Sequence, residues 1–440
     1  MSIRRDGTQV PPEKPETPGY LSSALSNGLR VVTVPMAHTR SVGIGVFVGV
    51  GSRYESQDQR GLSHFVEHMM FKGTPDRPTA QHISEAIEGL GGIMNAATGN
   101  ETTTYWAKVA HHHLPVALEV LLDIIRNSLF AAEEVEKERQ VILQEIGRLM
   151  DVPDSWVHVL MAELIWPDHP VGWEIVGTKE SVSGIQQQHL LDYVAHTYTP
   201  QNTVISVAGN FDSQKLLEQL ELALGDWEPG PTPSCLPAGA APEGCRLRVE
   251  FKETEQAHLC LGLRGLAVDH PDYFKLRVLN TILGEGMSSR LFLEIREKRG
   301  LAYSVGSYTS FLTDTGAIVL YGGVPPDKAE AAVSAMIDQL DLLRTSIVPE
   351  GELNKAREFL KGRTLLHMED TFANAQWFGR QEVLNQRVLT VDEVVEHLDA
   401  VSAADIQQVA CRLLDVSELG LAAIGPFREE GSFRRLLSRH

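Results

Sequence analysis

Residues 133–145 read EEVEKERQVILQE, and residues 351–363 read GELNKAREFLKGR. Set side by side without a gap, the two stretches bring Lys137 to Lys355 and align an arginine two residues later in each. Both stretches predict helices. The shared pattern indicates that one structural unit occurs twice in the chain.

The sequence on either side extends this repeat. Each half has strand-like apolar runs, a helix, a further strand after a glycine-containing turn, and two amphipathic helices. The predicted strands are Leu29–Val34, Val42–Val50 and Asn95–Val109 in the first half, and Arg246–Glu250, Leu259–Leu263, Ser304–Tyr308 and Ala317–Gly322 in the second. The order predicts an α+β fold with two homologous domains, each a mostly antiparallel sheet packed with helices.

A change in composition separates the two copies. Residues 229–244 contain five prolines and three glycines and have no helical or strand pattern. We therefore expect a linker over 229–244 and domains over 20–228 and 245–440. Residues 1–19 are expected to be a disordered leader, because their prolines and acids do not suit a transit helix.

Length, charge and cysteine content restrict the class of protein. A chain of 440 residues exceeds the roughly 250–300 residues at which a single core stops growing. The formal net charge of −19 argues against a nucleic-acid partner. The apolar runs are too short and too rich in glycine to span a membrane. Four cysteines without paired spacing suit a reducing compartment, so we expect a cytoplasmic protein.

The clearest catalytic motif lies in residues 61–74, GLSHFVEHMMFKGT. On a helix, His64 and His68 project from one face and can bind one cation, with Glu67 beside them. A catalytic zinc site needs such ligands and a nearby carboxylate, and the order is the H-x-x-E-H pattern. The alternative is that the two histidines only decorate a helix surface. The apolar residues around them favour a partly buried site.

A third ligand is needed, and the helix predicted from Glu133 offers several carboxylates. With its H-x-x-E-H motif and the segment ERQVILQE at 138–145, the chain resembles the insulinase and pitrilysin zinc peptidases. Within that group it resembles the mitochondrial processing peptidase and its bacterial relatives. The resemblance implies that Glu145 is the third zinc ligand and that Glu138 is an acidic residue supporting catalysis.

The repeat supports a chemical role for these acids. In the aligned stretches Glu138 meets Ala356, and Glu145 meets Arg363. The second copy thus keeps the helix and lacks its acids. This indicates that the acids serve chemistry and not the fold.

Two further segments extend the resemblance. Residues 91–109 resemble the edge strand with which family members pair the backbone of a peptide substrate, which implies that Asn95 and Ala96 bind substrate. The segment GLAYSVGSY and the residues before it resemble the family's arginine and tyrosine segment. This implies that Arg296 and Tyr303 reach from the second half to steady the scissile carbonyl.

Together these features imply a zinc-dependent endopeptidase with one zinc per chain, in which Glu67 takes a proton from water activated by the metal. The first domain would be the peptidase domain and the second an inactive homologue. The substrate would be an extended peptide or an unfolded protein segment, because pairing with a sheet edge requires an extended backbone. A homodimer is expected, because one chain carries both functional halves. Two alternatives remain: a non-catalytic core subunit of the same fold, and a subunit active only with a different partner chain.

Overall fold

The computed structural model describes residues 19–385 and 387–438. The leader expected over 1–19 therefore lies outside the described residues, except for Gly19. Within the described part, the chain forms two sheets and two sets of helices, which follow one another along the sequence.

In the described part of the first half, from residue 19 onward, the chain forms six strands and eight α-helices. The strands are β1 (Leu21–Ala24), β2 (Arg30–Pro35), β3 (Ser41–Val48), β4 (Ile93–Thr98), β5 (Thr103–Ala110) and β6 (Thr203–Gly209). The helices are α1 (Leu62–Met69), α2 (Ala80–Glu88), α3 (Leu114–Asn127), α4 (Ala132–Asp151), α5 (Pro153–Ile165), α6 (Lys179–Gly184), α7 (Gln187–Thr197) and α8 (Ser213–Leu224).

The second half repeats this plan with five strands. They are β7 (Arg246–Phe251), β8 (Ala257–Arg264), β9 (Ser304–Phe311), β10 (Gly316–Val324) and β11 (Gly420–Gly425). The helices are α9 (Tyr273–Gly284), α10 (Ala329–Thr345), α11 (Glu350–His367), α12 (Thr371–Asn385), α13 (Val391–Asp399), α14 (Ala403–Leu413) and α15 (Gly431–Leu437). A π-helical segment over Phe292–Lys298 precedes β9.

The two sheets have the same topology except for β1, an additional strand at one edge of the first sheet. The first has the order β1-β2-β6-β3-β5-β4, and the second has the order β7-β11-β8-β10-β9. Neighbouring strands are antiparallel except for β2 with β6 and β7 with β11, which are parallel. The repeat therefore equates β4 with β9, the two strands that end the sheets. This confirms the predicted α+β fold with two related, mostly antiparallel sheets.

One predicted strand is wrong. The segment Asn95–Val109, taken from the sequence as a single strand, is a hairpin of β4 and β5. The chain reverses at Gly99, whose N–H donates to the carbonyl of Thr102 at 2.8 Å. The threonines after the turn also favour a strand, so the sequence did not reveal that a second strand begins there.

The outer face of each sheet is covered by a helix from the other half. Helix α5 precedes residues 229–244, yet it contributes Val157 and Met161 to an apolar cluster with Cys260 and Ala422 of the second sheet. This helix packs on β8 and β11. After α5 the chain returns to the first half, where β6 completes the first sheet.

Helix α12 of the second half covers the outer face of the first sheet in the same way. It follows α11 in the chain, as α5 follows α4. Phe378 of α12 shares an apolar cluster with Val32, Phe47 and Val204 of the first sheet. The contact is close at β3, where a Cβ on Gly43 would lie 2.6 Å from the backbone of Phe372. Only glycine fits there, because any side chain would collide with the helix.

A buried ion cluster also joins the halves. The fully buried side chain of Arg53 donates to Glu101 in the β4–β5 turn at 2.6 Å and to Asp314 in the β9–β10 turn at 2.7 Å. It also donates to the carbonyl of Leu236 at 2.9 Å. Thr313 donates to Glu101 from its backbone and its hydroxyl. The tips of the two equivalent hairpins are thereby tied together.

No helix among residues 19–385 and 387–438 has the length and apolar character needed to cross a membrane.

Candidate metal centre and active site

Helix α1 presents the H-x-x-E-H motif to solvent on one side and packs into the first core on the other. Its apolar residues Leu62, Phe65, Val66 and Met69 are buried. These residues recur at helical spacing, so burying them turns the opposite face outward. That face carries the two histidines.

The structure brings the three predicted ligands together. Nε2 of His64 and Nε2 of His68 lie 3.9 Å and 3.6 Å from Oε2 of Glu145, which projects from α4. One ligand atom from each residue lies within 4.8 Å of the other two. Ligands of tetrahedral zinc at about 2.0–2.1 Å from the metal are about 3.3 Å apart, so small side-chain movements would suffice.

The electrostatics of the cluster suit a divalent cation. Burial, together with the neighbouring His68, lowers the pKa of His64 to about 4. Its imidazole is therefore neutral at pH 7, with a lone pair available for a metal. Two imidazoles and one carboxylate form a donor set that zinc commonly uses. The residues present fit the metal that the sequence predicts.

Glu138 lies behind the cluster, two helical turns before Glu145 on α4. Its Oε2 is 3.1 Å from Nδ1 of His68, and its Oε1 is 2.6 Å from the ammonium of Lys72. Burial would raise the pKa of Glu138, but the hydrogen bonds from His68 and Lys72 outweigh it and lower that pKa. The ionised carboxylate of Glu138 accepts a hydrogen bond from Nδ1–H of His68. This leaves Nε2 of His68 free to bind a metal.

Glu67 lies beside the three ligands, and a residue of the first sheet fixes its carboxylate by a hydrogen bond. The hydroxyl of Thr98, at the end of β4, donates to one carboxylate oxygen of Glu67. Burial raises the pKa of Glu67 despite that hydrogen bond. A carboxylate whose pKa moves toward neutrality is a better acceptor for a proton from water.

Asn95 and Ala96 lie on β4, which ends the first sheet and pairs on one side only, with β5. The side chain of Asn95 accepts a hydrogen bond from the N–H of Ala96 at 2.8 Å. Helix α1 packs beside this strand. The strand edge and the metal cluster are therefore neighbours, as a peptide bound along β4 would require.

Arg296 and Tyr303 are brought to each other but not to the cluster. The guanidinium of Arg296 lies 5.2 Å from the ring centre of Tyr303 and 4.9 Å from that of Phe292. Tyr303 is 72% exposed. Among the described residues, no hydrogen bond, ion pair or ring contact joins this pair to His64, His68 or Glu145.

Sequence reasoning missed two residues of the site, Lys72 and Thr98. Both stand in segments already singled out, Lys72 four residues after His68 and Thr98 two residues after Ala96. Their partners lie on other elements, and the sequence gives no signal for those contacts.

Comparison with known families matches both halves of the chain. Residues 30–179 match the model of the insulinase family, peptidase family M16, and residues 184–360 match the model of the peptidase M16 inactive domain. An uncharacterized zinc protease of Bacillus subtilis, YmxG, is 38% identical over 401 residues, which cover 91% of this chain and 97% of that protein. An uncharacterized zinc protease of Streptomyces coelicolor is 36% identical over 94% of this chain and 91% of its own.

Solved structures share the architecture. A protease from Helicobacter pylori superposes with a TM-score of 0.87 at 25% identity, over 93% of this chain and all of that one. A peptidase M16 inactive domain from Pseudomonas fluorescens gives a TM-score of 0.86 at 18% identity, over 93% and 98% of the two chains, and this likeness concerns the fold alone. Together with the two family models and the curated relatives, these matches make the chain a member of the insulinase family, peptidase family M16.

Proposed function

We propose that this chain is a zinc-dependent endopeptidase that hydrolyses peptide bonds in extended peptides or unfolded segments. The observation that carries the proposal is the convergence of His64, His68 and Glu145 on one point, with Glu67 beside them. A family fold alone would not specify this arrangement. The zinc protease names of relatives at 34–38% identity agree with it.

In this proposal, each residue around the metal has a separate task. His64, His68 and Glu145 hold zinc, which when bound supplies a Lewis acid that lowers the pKa of water and polarises a carbonyl. Glu67 accepts the proton of the attacking water and later donates it to the leaving amine. Glu138 holds His68 through Nδ1.

The substrate would lie along β4. Its backbone would pair with the free edge at Asn95 and Ala96, after the side chain of Asn95 releases the N–H of Ala96. Arg296 would hold substrate carbonyls, and the hydroxyl of Tyr303 would donate to the oxygen that gains charge during attack. Among the described residues, Arg296 and Tyr303 make no contact with His64, His68 or Glu145. In this proposal, a movement within the chain or a second copy of the chain brings the two residues close to the metal. We propose a homodimer, since one chain carries both parts.

A non-catalytic core subunit is the weaker candidate. Such a subunit would have no need of three convergent ligands, a buried carboxylate beside them and a carboxylate behind His68. The second half keeps the equivalent helix with Ala356 and Arg363 at the positions of Glu138 and Glu145, so the repeated fold does not require these two acids.

Peptide cleavage with mass analysis of the products tests the proposal. The purified chain should cut unstructured peptides at internal bonds, lose this activity after chelation, and recover it when zinc is added back. If no peptide in a broad unstructured panel is cut by the zinc-loaded chain, the proposal is wrong.

A further inference from the structure

The start of α1 lacks an ordinary helix cap. Gly61, the residue before the helix, has φ +88°, which disfavours every residue with a side chain. A Cβ there would also lie 2.7 Å from the carbonyl of Val176. A serine, threonine or aspartate cap at this position is therefore excluded by backbone conformation and by space.

The carboxylate of Glu55, nine residues before His64, supplies the hydrogen-bond acceptors that a cap residue would otherwise provide. Its Oε2 accepts the N–H of Gly61 at 2.8 Å, and its Oε1 accepts the N–H of Ser63 at 2.7 Å. Glu55 is only 6% exposed. A carboxylate beside the first N–H groups of a helix is also favoured by the helix dipole.

The location of this cap matters because His64 is only the third residue of α1. Fraying of this first turn would move the imidazole of His64 and then the carboxylate of Glu67. Besides the buried apolar residues of α1, this end has a contact between the hydroxyl of Ser63 and that of Tyr193, at 2.7 Å. This contact orients a side chain and satisfies no backbone N–H.

We propose that Glu55 is a positioning residue of the metal centre, which sets zinc affinity by fixing the first turn of α1. The inference rests on the proposed function, because it concerns the ligand His64. The carboxyl oxygens of Glu55 bond to backbone N–H groups and to none of the three ligands, so the effect on zinc is positional. Loss of such a supporting contact costs about 10-fold to 100-fold in metal affinity.

The test measures the zinc dissociation constant of the whole chain by competition with a chelator, under conditions where each variant is folded. In Glu55→Gln one acceptor becomes an amide NH₂ that faces an N–H donor, so zinc should bind about 10-fold to 100-fold more weakly. Asp212→Ala is the control, because Asp212 caps α8 through the N–H groups of Gln214 and Lys215 and alanine has no side-chain acceptor for them. That variant should lose stability and keep wild-type zinc affinity.

The outcomes separate the possibilities. Wild-type zinc affinity in Glu55→Gln would overturn the inference, and so would an equal loss in Asp212→Ala, which would reveal a general effect of stability. If Glu55→Gln fails to fold, Glu55→Asp replaces it. Its shorter side chain cannot reach both N–H groups, and unchanged zinc affinity there would also refute the inference. A wild-type chain that binds no zinc would instead refute the proposed function.

Discussion

Nη2 of Arg53 lies 2.7 Å from the carboxylate of Asp314, across the boundary between the two halves. The arginine is fully buried, and its second partner, Glu101, is only 4% exposed. Burying charge is costly unless it is paired. The cluster therefore tolerates little change in the relative position of the two hairpin tips.

Replacing Arg53 should destabilise the protein strongly. Arg53→Met would leave Glu101 buried without its cation, and breaking such a pair costs roughly 3 to 5 kcal/mol. Urea unfolding would measure the loss. Arg434→Met is the control, because Arg434 pairs with Glu430 on the surface of α15 and should cost about 1 kcal/mol or less. Equal unfolding midpoints for the two variants would contradict the interpretation of the cluster.

Zinc content should depend on each ligand separately. The wild-type chain should contain close to one zinc, and His68→Ala or Glu145→Gln should lower this content, because a three-ligand site loses most of its affinity with one ligand. His112→Ala, in a histidine run outside the cluster, should keep its zinc. Metal analysis by mass spectrometry decides, and stoichiometric zinc in His68→Ala would exclude the assignment.

Glu67→Gln should separate metal binding from catalysis. The amide is close in shape to the carboxylate but cannot accept a proton from water, so turnover should fall about 100-fold to 10,000-fold. Zinc content and melting temperature should stay near those of the wild type. Glu133→Gln, an exposed acid on α4, is the control. Wild-type turnover in Glu67→Gln would show that another residue is the base.

Tyr303→Phe tests the contribution of the second half. Removing a hydroxyl that donates to the oxyanion should lower turnover by about 100-fold to 1000-fold, with little effect on zinc content. Tyr308→Phe is a matched control on β9, because that hydroxyl already bonds to His158 at 2.8 Å. Kinetics on one peptide would compare them. Equal turnover in both variants would mean that Tyr303 does not reach the substrate.

The local parts of the site could be predicted from the sequence. His64 and His68 share a face because the helical repeat alone brings them together, and Glu145 followed from the family resemblance. The support for these residues was not predictable, since Thr98 reaches Glu67 from β4 and Lys72 reaches Glu138 on α4. Such contacts depend on how the elements pack.

The sequence predicted some strands of each sheet and missed others. Strands β3 and β8 stand out as apolar runs, but β6 and β11 were not identified, although both are fully buried and lie inside their sheets. Ser206 interrupts the apolar run of β6, and β11 consists mainly of alanine and glycine, which are depleted in strands. The sequence also did not show which sheet α5 and α12 pack on, because an apolar helix face does not specify the sheet that it will cover.

The exchange of α5 and α12 bears on how the repeat arose. Two copies of the unit that exchanged this helix would each cover the outer face of the other's sheet. The present chain has the connectivity of such a domain-swapped dimer, with its two copies joined through residues 229–244. A cut in that segment should accordingly leave two interlocked fragments that stay together, and neither fragment should be stable when expressed alone.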